Sequence, residues 1–156
     1  MNKQELLNEL RVKFDGIKND LGFKSGFEDI EKIFFIKDFV LDHGFVSDSL
    51  SRMICKRIVD TLMNWNEYLH SLVMPNPNNI MNFNESKMFN DEEKKEFMRL
   101  MTEVMELVAQ NSLAGVSKDK KLEAEFIDKS VNFWNNRFSP NLIKTMKKVY
   151  EEWSKK

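Results

Sequence analysis

A single cysteine, almost no net charge, no long apolar run and no stretch that alternates like a strand are the first features of this chain. Cys55, the only cysteine, has no partner for an internal disulfide, which fits a reducing compartment and an expected cytoplasmic location. No apolar run approaches the ~20 residues needed to span a bilayer, so no membrane insertion is expected. Residues 1–9 break their apolar positions with Glu5 and Glu9, unlike a secretory signal. A net charge of -1 lacks the basic excess of a nucleic-acid binder. No glycine-rich loop is present to cradle phosphate, and no serine sits in a Gly-x-Ser-x-Gly elbow.

What is present is helical periodicity. The chain has 156 residues, 42% of them hydrophobic and 31% charged, enough apolar material for one folded domain over 1–156 and too much for a disordered chain. The expected fold is all-α, a single-domain bundle of about six helices near 3–21, 26–43, 46–74, 90–114, 118–137 and 140–154. Leu6, Leu10, Phe14, Ile17 and Leu21 form one stripe of the first helix, and Gly22 is its stop. Ser25 and Glu28 read as a capping box opening the second, which Gly44 closes. Ser47 is the expected cap of the third. Asn90-Asp91-Glu92-Glu93 opens the fourth, with acids where the helix dipole favours them, and Gly115 ends it. Ser117 caps the fifth, and Ser139-Pro140 starts the sixth, with proline at the first helical position.

The faces differ. Residues 26–43 are apolar nearly all round, through Ile30, Ile33, Phe34, Phe35, Ile36, Phe39, Val40 and Leu41, and this segment is expected to be the central and most buried helix. Residues 90–114 put Phe97, Met98, Leu100, Met101, Val104, Met105, Leu107 and Val108 on one half, as an outer helix packed on one side does. The stretch 75–90 is the one long connection. It is rich in asparagine yet holds Ile80, Met81, Phe83, Met88 and Phe89, more apolar groups than a solvated linker needs. These five are the candidate partner-binding residues, expected to divide between sealing the fold and contacting a partner. Ten methionines reinforce that reading, because flexible thioethers suit adaptable binding surfaces.

Few residues carry an argument for chemistry. Glu67 and His70 have the Glu-x-x-His spacing of di-iron bundles, but no inward carboxylates accompany them, so no metal and no cofactor is expected. His43, Cys55 and His70 fall too far apart along two helices to form a catalytic centre, and Cys55 reads as a small apolar core residue. Glu123, Ser130 and Arg137 recur every seven residues within an apolar arc. Lys37 likewise lies among Ile30, Ile33, Phe34 and Leu41. These four are the candidates for a small polar ligand pocket, with a Lys37–Glu123 contact conceivable, set against side chains that simply reach the edge of the packing. Residues 39–53 have the outline of a helix-turn-helix around Gly44, with Ser47, Ser49, Ser51 and Arg52 facing a groove, although Asp48 opposes phosphate. The expected function is a non-catalytic helical adaptor or scaffold that binds another protein. The alternatives are a nucleic-acid-binding helix-turn-helix protein and a small-ligand-binding bundle.

Overall fold

The computed structural model describes all residues, 1–156, and every element is helical. The helices are α1 (Lys3–Leu21), α2 (Phe27–Phe34), α3 (Ile36–His43), α4 (Leu50–Val73), α5 (Ile80–Ser86), α6 (Asp91–Ser117), α7 (Lys120–Phe133) and α8 (Ser139–Ser154), with a π-helical turn at Trp134–Phe138. None is long and apolar enough to cross a membrane. The expected all-α class holds. The chain forms two compact units, residues 1–61 with 107–131 and residues 62–106 with 132–156.

In the first unit, α1 begins at a capping box between Asn2 and Glu5 and ends at Gly22, whose positive φ of 84° is strained for any residue with a Cβ. Leu6, Leu10 and Phe14 are buried along it. Phe14 meets Phe23 and Phe27 edge-on, with ring centroids 5.6 and 5.1 Å apart. The turn after α1 is tied down by Asp128 of α7, which accepts from the backbone N–H groups of Lys24 and Ser25 and from the Ser25 hydroxyl. That bond removes Ser25 from the cap expected of it. The box opening α2 sits one residue later, with the Gly26 N–H donating to Asp29.

The segment expected as one helix over 26–43 breaks in two at Phe35, whose backbone is left-handed (φ 55°). The break exposes polar backbone, and two side chains satisfy it. Glu31 accepts from the Lys37 N–H at 2.9 Å, and the Arg57 guanidinium donates to the Phe34 carbonyl at 3.0 and 3.2 Å. Burial holds the Glu31 carboxyl above the usual carboxylate range, opposed by the Lys37 N–H. The wide apolar surface therefore belongs to two differently aimed short helices. Phe27, Ile30, Ile33, Phe34, Ile36 and Val40 are buried, Phe39 is half-buried, and Phe35 is 52% exposed. The most continuous buried seam is on α4, where Leu50, Ile54, Cys55, Ile58, Leu62, Leu69 and Leu72 are all sealed.

Three further boundaries differ from the sequence pattern. α4 starts at Leu50, four residues after the expected 46, because the Ser47 hydroxyl is used in a local turn with the Ser49 N–H and Asp48 pairs with Lys13. Gly115 does not end α6. Its missing Cβ makes room for Arg52, whose Nη2 lies 2.9 Å from where a Cβ would stand. The helix runs to Ser117 and ends at Lys118 in a left-handed conformation. Asp119, rather than Ser117, then caps α7 by accepting from the Leu122 N–H.

In the second unit Leu62, Leu69, Leu72, Phe97, Leu100, Val104, Phe138, Leu142 and Val149 are buried. The expected fresh start at Pro140 is absent, since the backbone at Phe138 and Ser139 is already right-handed helical. Proline in a continuing helix lacks an N–H and crowds the carbonyl four residues back. The π turn opens that spot, with the Ser139 N–H reaching the Trp134 carbonyl, and the Asn141 side chain donates to the Arg137 carbonyl at 2.7 Å.

Candidate functional site

The stretch expected as a long loop contains a short helix, α5, and its asparagines help to start it. Asn79 caps α5 by accepting from the N–H groups of Met81 and Asn82, and Asn76 accepts from the Asn78 N–H just before it. The far end of α5 is clamped into the second unit. Glu85 accepts from the Tyr68 hydroxyl and from the Trp153 indole N–H, each at 2.8 Å. The buried Ser86 hydroxyl donates to the Leu72 carbonyl at 2.7 Å. Burial foremost, and then the Glu85 bond and charge, push the Tyr68 hydroxyl well above its ordinary pKa. The clamped helix thus holds up side chains that stay exposed. Ile80 is 70% exposed, Met81 60% and Phe83 37%, with Lys87 over the Phe83 ring at 4.2 Å. Met88 is half-buried. Phe89 is buried, edge-on to Phe97 with ring centroids 5.0 Å apart, so it belongs to the core of the unit.

A groove of about 460 Å³ lies on the same unit, between α4 and α6. Met63, Asn66, Glu67 and His70 line it from α4, and Met98, Met101, Thr102 and Met105 from α6. Four of the chain's ten methionines therefore share one surface. The groove exists because only part of the apolar half of α6 is packed. Phe97, Leu100, Val104 and Leu107 form a buried stripe at steps of three and four, while Met98 and Met105 on its flank stay 53% and 46% exposed. The expectation that this whole half is packed is corrected accordingly. Of the groove's polar residues, Asn66 is buried. It is 6% exposed, and its Oδ1 has no hydrogen-bond partner, a costly state for a buried acceptor.

A second groove, of about 660 Å³, runs between the start of α6 and α8 and is lined by Phe89, Phe97, Pro140, Ile143 and a set of charged side chains. Most of the charges are already paired. Lys148 donates to both oxygens of Glu93 at 2.8 and 3.0 Å. Arg137 reaches Glu96 at 2.6 Å and Glu103 at 2.9 Å from within the π turn. For Glu93, burial raises the carboxyl, but Lys148, the Asn90 N–H and Lys144 outweigh it and leave the pKa lowered. Glu96 is lowered chiefly by its bond to Arg99 and also by Arg137.

The four residues of the expected polar pocket do not share partners. Arg137 belongs to the second unit and its acids are Glu96 and Glu103. Glu123, in the first unit, is 8% exposed and pairs with Arg52 at 3.2 Å rather than with Lys37. Its Oε1 and the fully buried Ser130 hydroxyl lack hydrogen-bond partners. Lys37 sits over the Phe27 ring at 5.7 Å. Arg52, the cation of the helix-turn-helix outline, is engaged by Glu123. His43 stacks on Phe39 with centroids 4.1 Å apart, its Nδ1 2.8 Å from the Phe39 carbonyl. Cys55 is buried, and burial first, then the Glu123 charge, pushes its thiol up to about 12, where a nucleophilic thiolate is scarce. Glu67 and His70 are exposed and share the methionine groove. No group of three or more His, Cys, Asp or Glu side chains is arranged to hold a metal.

The methionine groove escaped the sequence reading because periodicity marks an apolar half, not how much of it a neighbour covers. One usable signal was present, since methionine rather than leucine or valine occupies the flanking positions 98, 101 and 105. No family model matches the chain, and neither a curated protein nor a solved structure matches it.

Proposed function

We propose that this chain is a non-catalytic helical module that binds another protein through its second unit, as an adaptor or scaffold of the cytoplasm. The observation that carries the reading is the groove lined by Met63, Met98, Met101 and Met105. Thioether side chains are unbranched and polarizable, and surfaces built from them adapt to a partner's shape. Open apolar surface on a folded domain commonly marks an interface. The exposed Ile80, Met81 and Phe83 of α5, held in place by the Glu85 clamp, offer further contact surface on the same unit. A non-catalytic role is supported by the condition of the reactive groups, with the Cys55 thiol buried and His43 committed to its own helix. The unpaired Cys55 fits a reducing cytoplasm.

The test compares proteins co-purified from the native cell with wild-type chain and with Met98→Ser, Met101→Ser and Ile80→Ser variants. Loss of a reproducible partner in a variant whose melting temperature is unchanged supports the reading. Equal recovery by all three variants rejects it.

A further inference from the structure

We infer that the methionine groove takes an amphipathic helix carrying a basic residue, a partner class that rests on the protein-binding reading above. Both walls of the groove are α-helices, whose backbone groups are satisfied internally. The groove therefore presents side chains and no unpaired backbone edge. An extended peptide laid in it would leave its own N–H and C=O groups without partners against thioether, at the cost such burial carries. A helix satisfies its backbone itself and offers only side chains, which is the helix-in-groove mode of recognition.

The dimensions agree. The lining runs from Met63 to His70 on α4 and from Met98 to Met105 on α6, seven steps on each wall, or about 10 Å at 1.5 Å per residue. Two turns of an incoming helix fill that length with apolar residues at i, i+3 or i+4, and i+7. Charge sets the rest of the partner. No lysine or arginine lines the groove, and its one carboxylate, Glu67, is exposed and without an ion-pair partner. That carboxylate asks for an N–H-bearing, positively charged side chain beside the apolar stripe.

The probe is a synthetic 14-residue helix of leucine and lysine with that apolar spacing. It is set against a leucine/glutamate helix of the same spacing and a scrambled leucine/lysine peptide of equal composition. Binding to the full chain is followed by NMR of ¹³C-methyl methionine, in which Met1 and Met74 serve as internal references. We expect the leucine/lysine helix to shift the four groove methyls and to bind about tenfold tighter than either control. Glu67→Lys should cut its affinity severalfold and reverse the preference over the leucine/glutamate helix. Equal binding by the scrambled peptide, or shifts confined to methyls outside the groove, overturns the inference. If the helix fails while a native partner is still lost on Met98→Ser or Met101→Ser, the partner class is wrong and protein binding stands. If those variants also keep every partner, both fall.

Discussion

Replacing Glu85 with alanine should loosen α5 from the second unit while leaving the rest of the chain folded. Its two oxygens hold the Tyr68 hydroxyl and the Trp153 indole N–H at 2.8 Å, joining α5 to α4 and α8. A hydrogen bond to a charged group contributes about 1.5–3 kcal/mol. Tyr68 and Trp153 are only half-buried, so water recovers part of each bond when the acceptor goes. About 1 kcal/mol per bond is then the working figure, or about 2 kcal/mol for Glu85→Ala, which corresponds to a Tm lower by about 4–8 °C for a chain of this size. Glu85→Gln keeps the shape and one acceptor, and should cost about half as much. The assay is urea and thermal unfolding of Glu85→Ala in the wild type and in a Tyr68→Phe/Trp153→Phe background, where removal of the donors should make the same change nearly neutral. An equal loss in both backgrounds, or a loss below about 0.5 kcal/mol in the wild type, refutes the clamp. The clamp also has a pH signature. Because the folded pKa of Tyr68 is raised, its contribution is fully present below the unfolded value of about 10 and is lost as pH rises beyond it. The alkaline loss of stability should shrink in Tyr68→Phe.

Arg52→Met leaves the 8%-exposed Glu123 without its cation; discounted for the partial exposure of Arg52, the cost is about 2 kcal/mol. Arg52→Met/Glu123→Met should recover most of it in chemical denaturation. Cys55, with its thiol pushed up to about 12, should resist a disulfide reagent in the native state and react on unfolding, and prompt native reaction would contradict its burial. The lowered carboxyls of Glu93 and Glu96 contribute stability that is present above the unfolded pKa of about 4.3 and lost as pH falls. Lys148→Met and Arg137→Met should each flatten that acid limb in melts taken between about pH 3 and 6.

The helical class, and most of the segments, were legible in the residues themselves. Spacings such as Leu6, Leu10 and Phe14, stops such as Gly22, and caps such as Asn90 act within a few residues of the positions they govern, so the local chain carries them whole. At Ser47 and at Pro140 a local turn overrides the expected start. At three other misread boundaries a distant group claims the residue that local rules assign elsewhere. Asp128 takes the Ser25 hydroxyl, Arg57 takes the carbonyl freed at Phe34, and Arg52 takes the space beside Gly115. The candidate site divides along the same line. That α5 shows Ile80, Met81 and Phe83 to solvent while Phe89 joins the core depends on Tyr68 and Trp153 meeting Glu85. The methionine groove depends on which part of α6 a neighbour covers. Periodicity records the width of an apolar face, because that is a property of one helix. How much of the face stays open is a property of the packing around it, and only tertiary structure decides that.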